Sequence, residues 1–302
     1  MAAPPPLLPC SGERCRVWRL VVVAFVVFVA AAMDTAAASM YDDVEVVWGS
    51  DHSFFYMDGE ADTLALCLDE THGSGFRSKD AYLYARFDID MMLVANNSAG
   101  TVTTLYLMPE DVPWEYHDEV DLEFLGNVTG EPYTLHTNIF ANGVGGREQQ
   151  FRLWFDPTCD FHTYSIVWNP KHIIILVDGV PIRDYRNEAA RGAAFPTWQK
   201  MRVHGSLWNA DDWATQGGSV KTDWSAAPFY AYYRRLRVTP CAPSPGVAWC
   251  GDEPPESPRF KQEMDAAALR KAREEHLLYD YCADTKRFKD TGLPIECTPP
   301  IS

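Results

Sequence analysis

Three acidic residues at alternate positions, Glu119, Asp121 and Glu123, lie in the run His117-Asp118-Glu119-Val120-Asp121-Leu122-Glu123-Phe124-Leu125-Gly126-Asn127. On an extended strand successive side chains alternate faces, so this spacing puts the three carboxyls on one side and Val120, Leu122 and Phe124 on the other. Like charges held so close raise the proton affinity of at least one member, which lets a site keep an anionic and a protonated carboxyl together near neutral pH. A retaining glycosidase requires such a pair. One carboxylate attacks the anomeric carbon and the other, protonated, donates to the leaving oxygen, with the two groups roughly 5–5.5 Å apart. Since Cα atoms four residues apart on a strand are about 13 Å apart, the two glutamates must lean together across a curved sheet. A bare E-x-D-x-E also fits an ordinary solvated strand face or a divalent-cation site, because carboxylates at this spacing can hold Ca²⁺ or Mg²⁺.

The elements that must position these acids read as strands. From Val44 to Val238 the chain is a succession of short alternating or apolar runs, rich in β-branched and aromatic residues and broken by Gly, Asn, Asp and Pro. Examples are Ala81 to Ile89, Gly100 to Leu107, Val120 to Leu125, Tyr133 to Phe140, Gln149 to Phe155, Thr163 to Trp168 and His172 to Val177. The regular spacing predicts an all-β antiparallel β-sandwich rather than a βαβ protein. Asp178-Gly179 lies between Ile173–Val177 and Pro181–Tyr185 and predicts a hairpin, because its tight turn needs the positive φ that glycine accepts. After Cys241 the chain becomes Pro- and Gly-rich as far as Pro258. A helix is then predicted from about Gln262 to Tyr281, with Met264, Ala268, Leu269, Ala272, Leu277 and Leu278 on one face.

Residues 1–38 read as a cleaved secretory signal: Arg14, Arg16 and Arg19 precede an apolar run from Leu20 to about Met33, and small residues follow at Ala36 and Ala38. The run is shorter than the roughly 20 apolar residues of a membrane span; the alternative is an uncleaved N-terminal anchor. Removing this segment takes away three arginines and two acids, leaving 23 basic and 40 acidic residues and a net charge of −17. Such a charge argues against nucleic acid and anionic membranes as partners and is compatible with a neutral polysaccharide. Six cysteines remain. In a secreted chain the four near the end are expected to form disulfides, with proximity favouring Cys241 with Cys250 and Cys282 with Cys297. Zinc finds no support there from histidine or CxxC spacing. Cys67 and Cys159 have no evident partner and are expected to be buried free thiols.

HDEVDLEFLGN resembles the active-site strand of the xyloglucan endotransglucosylase/hydrolases, a branch of glycoside hydrolase family 16, whose common form is HDEIDFEFLGN. Val120 and Leu122 are the departures, both core-facing. The likeness extends in order through Gly73-Ser74-Gly75-Phe76 with Ser78-Lys79, Asn97-Ser98-Ala99-Gly100-Thr101-Val102-Thr103, Arg147-Glu148-Gln149-Gln150-Phe151, Phe161-His162-Thr163-Tyr164 and Trp208-Asn209-Ala210-Asp211-Asp212-Trp213. It covers nearly all of residues 40–300. It implies a jelly-roll, concanavalin-like sandwich over residues 39–240 and a C-terminal helical, disulfide-stapled extension over 241–302.

The resemblance implies that Glu119 is the nucleophile, Glu123 the general acid and then base, and Asp121 the hydrogen-bonding group that tunes the nucleophile. His117 would share their face, either as a structural histidine or with a direct role. Implied sugar contacts are His136, Thr137 and Asn138 beside the catalytic strand, the pair Arg147 and Glu148, then Asp212, Trp213 and Gly217 on the acceptor side, and Arg287 in the extension. Gly146 stands where relatives often carry aspartate, and Trp114 and the stretch Ala272-Arg273-Glu274 also depart from the pattern. Asn127-Val128-Thr129 and Asn96-Asn97-Ser98 are glycosylation sequons, and Asn127 is the favoured one. The implied activity is transfer of xyloglucan chains between donor and acceptor polysaccharide in the apoplast and cell wall, by a monomer with no cofactor and no metal. Hydrolysis and a non-catalytic lectin are the other outcomes for such a sandwich.

Overall fold

The computed structural model describes residues 39–59, 61–241 and 265–298. The expected signal segment, Cys250 and nearly all of the Pro- and Gly-rich stretch lie outside the described residues.

Two antiparallel sheets stack face to face. In spatial order the first contains β1 (Val44–Trp48), β4 (Ser74–Ser78), β13 (Arg202–Asn209), β6 (Thr101–Met108), β7 (Glu119–Leu125), β8 (Thr134–Phe140), β9 (Gln149–Arg152) and β15 (Leu277–Asp280). The second contains β12 (Val180–Arg186), β11 (His172–Val177), β10 (His162–Trp168), β5 (Ala85–Met92), β14 (Phe229–Pro240), β3 (Ala61–Leu68) and β2 (Ser53–Asp58). Among the described residues helices are minor: α1 (Met40–Asp43) and α2 (Ala266–His276). Strands far apart in sequence are neighbours, as in β4–β13–β6 and β5–β14–β3, so the order is that of a jelly roll and not a meander.

The core is the layer between the sheets. On β7, Val120, Leu122 and Phe124 have no exposed surface, and Phe124 meets Tyr164 of the opposite sheet edge-on with ring centroids 4.7 Å apart. Burying each such apolar side chain stabilises the fold by about 1.5–3 kcal/mol. Tyr233, wholly buried, donates its hydroxyl to the Thr104 carbonyl at 2.9 Å and so ties the second sheet to the strand next to β7. The hairpin between β11 and β12 turns at Asp178 and Gly179, whose φ angles are 49° and 76°, as the Asp-Gly pair predicts.

Two expectations change. The helix predicted as far as Tyr281 ends at His276, and Leu277–Asp280 becomes β15, pairing with β9. The unpaired backbone groups along the edge of β9 outweigh the helical spacing, because a strand edge left open has N–H and C=O groups to satisfy. Cys67 is a buried free thiol as expected. Cys159 is instead disulfide-bonded; it sits on a turn, partly exposed, where a thiol is not shielded as Cys67 is in β3. Cys282 and Cys297 are bonded across a separation of 15 residues, with Cα atoms 5.2 Å apart. Closing a loop of that length is worth about 3 kcal/mol in the chain-entropy treatment. Cys241 is also disulfide-bonded.

Candidate active site

β7 lies inside the eight-stranded sheet, with four strands on one side and three on the other. Its alternation holds: the apolar residues fill the core while Glu119, Asp121 and Glu123 share the outer face. Glu119 and Glu123 are partly exposed and Asp121 between them is buried. His117 is nearly covered, stacked on Trp114 with centroids 4.1 Å apart. Its Nδ1 lies 2.5 Å from the Trp114 carbonyl oxygen, which can only accept, so Nδ1 carries a proton. Nε2 is 2.8 Å from Oε2 of Glu119. With the near nitrogen as acceptor two lone pairs would oppose each other, so a proton lies between Nε2 and Oε2.

The three carboxyls differ in environment. Burial, followed by the charges of Glu119 and Glu123, pushes Asp121 well above the usual carboxylate range, and its retained proton bonds to Glu119. Glu123 is pushed up to about 7, first by burial and then by the charge of Glu119. Tyr106 of β6, opposite Asp121, is raised to about 12 by burial and by Glu119 and Asp121. One carboxyl held protonated near neutrality beside another that accepts hydrogen bonds is the division a retaining mechanism needs.

Strand register extends the site across the sheet. At the level of Glu123 one residue from each strand shares the face: Trp48, Gly75, Ser206, Thr104, Glu123, His136, Gln150 and Tyr279. Eight strands at roughly 4.8 Å per step make a row about 34 Å long. At the Trp48 end the indole lies over Gly75, where a Cβ would stand 2.4 Å from Nε1; glycine is needed for that close approach. Trp213 stands edge-on to His136 at 6.3 Å and 6.4 Å from Trp208. The row is aromatic-flanked, partly exposed from Glu123 through His136 and Gln150 to Tyr279 and covered at Gly75, Ser206 and Thr104; its exposed part is suited to sugar rings, whose apolar faces stack on indole and phenol.

The family model for glycosyl hydrolases family 16 matches residues 40–226. The chain belongs to glycosyl hydrolases family 16. A second model, the xyloglucan endo-transglycosylase (XET) C-terminus, matches residues 255–297. The chain is 48% identical over 294 residues to xyloglucan endotransglucosylase/hydrolase 2 of Glycine max, covering 96% of this chain and 99% of that one. It is 49% identical over 268 residues to xyloglucan endotransglucosylase protein 1 of Diospyros kaki, covering 88% and 90%. Among solved structures it resembles a Bacillus licheniformis β-glucanase, with a TM-score of 0.51 at 23% identity over 66% of this chain and 92% of that one. It also resembles apo Crh5 transglycosylase, with a TM-score of 0.53 at 24% identity over 70% and 84%. The structural likenesses establish the fold.

Within this family 16 fold the expected sugar contacts divide. His136 and Asn138 face the cleft from β8, opposite Glu123 and Asp121. His136 bonds Gln150 at 3.0 Å, its Nε2 is 3.9 Å from Glu123, and burial lowers its pKa. Asp212, Trp213 and Gly217 lie exposed on the loop after β13. Glu148 pairs with Arg287 at 2.6 Å, and although burial opposes it, the guanidinium holds the Glu148 carboxyl below the usual range. The terminal nitrogen of Arg287 lies close over Gly146, 2.9 Å from where a Cβ would stand.

Two residues fall elsewhere. Thr137 pairs with core-facing Leu122, has no exposed surface, and bonds the Gln149 carbonyl and Arg183. Strand parity turns it away from sugar even though both its neighbours face the cleft. Arg147 is buried and spends its guanidinium on Glu296 at 2.8 Å and on the carbonyls of Ile139 and Val144. It is a strut between the β8–β9 turn and the extension. Arg147→Ala leaves the largely buried Glu296 carboxylate without its counter-charge, with the Tyr281 hydroxyl at 3.5 Å as its remaining partner, so the loss of stability is expected to be about 3–5 kcal/mol, measured by denaturant unfolding. A near-normal midpoint with weakened glucan affinity would restore Arg147 as a sugar contact.

Several cleft residues escaped sequence reading: Thr104 and Tyr106 on β6, His204 and Ser206 on β13, and Trp48 on β1. His204 stacks on Tyr106 at 4.8 Å, and burial lowers it to about 4. Their alternation marks them as strand residues, but which neighbour each one faces is a matter of register between distant segments.

Proposed function

We propose that the protein is a xyloglucan endotransglucosylase that cuts the β-1,4-glucan backbone through a covalent intermediate and rejoins it to another xyloglucan chain. The carrying observation is the placement of Glu119, Asp121 and Glu123 in a track that runs without a break onto β15 of the C-terminal extension. The plant relatives, named for xyloglucan transfer and hydrolysis, support the substrate class.

In the first step Glu119 attacks the anomeric carbon as the glycosidic C–O bond breaks, and Glu123 gives its proton to the departing oxygen. Asp121, protonated, and the proton shared with His117 hold the Glu119 carboxylate in place. In the second step the 4-hydroxyl of an acceptor glucan gives its proton to Glu123 while its oxygen takes the sugar, breaking the ester and freeing Glu119. Water in the same position gives hydrolysis instead. The acceptor half of the track, with His136, Gln150, Tyr279, Trp213 and the Glu148–Arg287 pair, binds sugar and so favours transfer by raising the effective concentration of the acceptor.

Residues 1–38 are proposed as a secretory signal, delivering a monomer to the apoplast and cell wall with a glycan on Asn127, which lies partly exposed just after β7. Among the described residues no helix is long and apolar enough to cross a membrane. Incubation with xyloglucan and a labelled xyloglucan oligosaccharide is the deciding assay. Label is expected in polymer; shorter polymer with new reducing ends and no label would make the enzyme a hydrolase, and binding alone a lectin.

A further inference from the structure

Beyond the catalytic row, the turn after β1 and the turn between β3 and β4 bring Asp51, His52, Asp69 and His72 together. Oδ1 of Asp51 lies 3.3 Å from Nδ1 of His52 and 3.0 Å from Nε2 of His72, and ligand atoms of these three residues all lie within 4.8 Å of one another. A tetrahedral zinc ion bound at roughly 2.0–2.1 Å to nitrogen and oxygen separates adjacent ligand atoms by about 3.3 Å. Both measured edges are close to that spacing.

The far sides of the rings point the same way. Nδ1 of His72 is 3.0 Å from the Thr71 hydroxyl, whose own proton goes to Asp69 at 2.5 Å. Nδ1 is therefore the donor, and in the neutral ring the lone pair is on Nε2, toward Asp51. Nε2 of His52 is 2.9 Å from Oδ2 of Asp69. A carboxylate there favours an N–H on that side and a lone pair on Nδ1, again toward Asp51. A carboxylate behind a histidine is the usual backing of a metal ligand. His52 is 2% exposed, and neither of its nitrogens has an aligned hydrogen-bond partner. With both rings neutral, three electron-rich atoms converge within 4.8 Å, a crowding that either a cation or a proton on Nε2 of His72 relieves.

We propose that Asp51, His52 and His72 bind a late first-row divalent cation, zinc above all, with Asp69 backing His52 and water in the fourth position. Two imidazoles with one carboxylate suit zinc over calcium or magnesium, which take oxygen ligands. Asp51 and His72 are exposed, so the ion enters from solvent. Its role is structural. The two turns already touch where a Cβ on Gly49 would stand 2.3 Å from the Gly73 carbonyl, and an ion joining them fixes the Gly75 and Trp48 end of the track.

The test uses the mature protein stripped with chelator and titrated with zinc chloride alone, followed by calorimetry and thermal unfolding. One equivalent is expected to bind, and Tm to rise by about 5–10 °C at a hundredfold excess over Kd. His72→Ala, at an exposed position, should weaken binding at least tenfold and remove the rise. Cobalt should give a visible absorption band in the parent protein that this variant lacks. Absence of binding, equal binding by His72→Ala, or an equal rise with calcium would each overturn the site. None of these readouts depends on the glucan activity.

Discussion

Glu119→Ala is expected to lower turnover by about 10⁴-fold or more while leaving the fold and the binding of glucan in place. The size follows from the role: with the nucleophile gone there is no covalent intermediate, and the groups that act with it lose their function together, as interdependent catalytic residues do. The fold survives because Glu119 faces the cleft and the interior of β7 is carried by Val120, Leu122 and Phe124. Removing one of three crowded acids also relieves the repulsion that raises the others, so the unfolding midpoint should hold or rise. Reducing-end release and label transfer measure the first effect, and retention in gels containing glucan measures the second. A small anion such as formate in the vacated space should restore some cleavage of substrates with activated leaving groups. Turnover within tenfold of the parent enzyme would remove Glu119 as nucleophile.

Glu123→Gln should cost about 10²–10⁴-fold, the usual worth of a positioned general acid. The loss should shrink on donors whose leaving group needs no proton. Because Glu123 titrates at about 7 and must hold its proton to act as acid, kcat/KM of the parent enzyme should fall as pH rises through about 7, and this limb should flatten in the variant. Stability carries the same sign. A carboxyl raised above its unfolded value binds its proton more tightly in the native state, so its favourable contribution is present below the unfolded value and is lost as pH rises through about 7. The glutamine variant should therefore gain in Tm relative to the parent between pH 5 and pH 8. An unchanged basic limb in the variant would assign the acid to another group.

The amino-acid sequence determined the local facts of this protein. Alternation along β7 is enforced by backbone geometry, so the shared face of Glu119, Asp121 and Glu123 and the core side of Val120, Leu122 and Phe124 followed from spacing alone. Asp178-Gly179 specified its hairpin for the same reason: a two-residue turn depends only on the φ values its own residues accept. Tertiary structure decided what required distant segments to meet. Thr137 was placed next to His136 by sequence and turned away by parity, and Arg147 was taken up by Glu296, 149 residues distant. Leu277–Asp280 carries helical spacing yet became a strand because β9 offered an unpaired edge. The track through Trp48, Ser206, Thr104, Glu123 and His136, and the meeting of Asp51 and His52 with His72, exist only once register is fixed. Register depends on long-range pairing, which the periodicity of one strand does not contain.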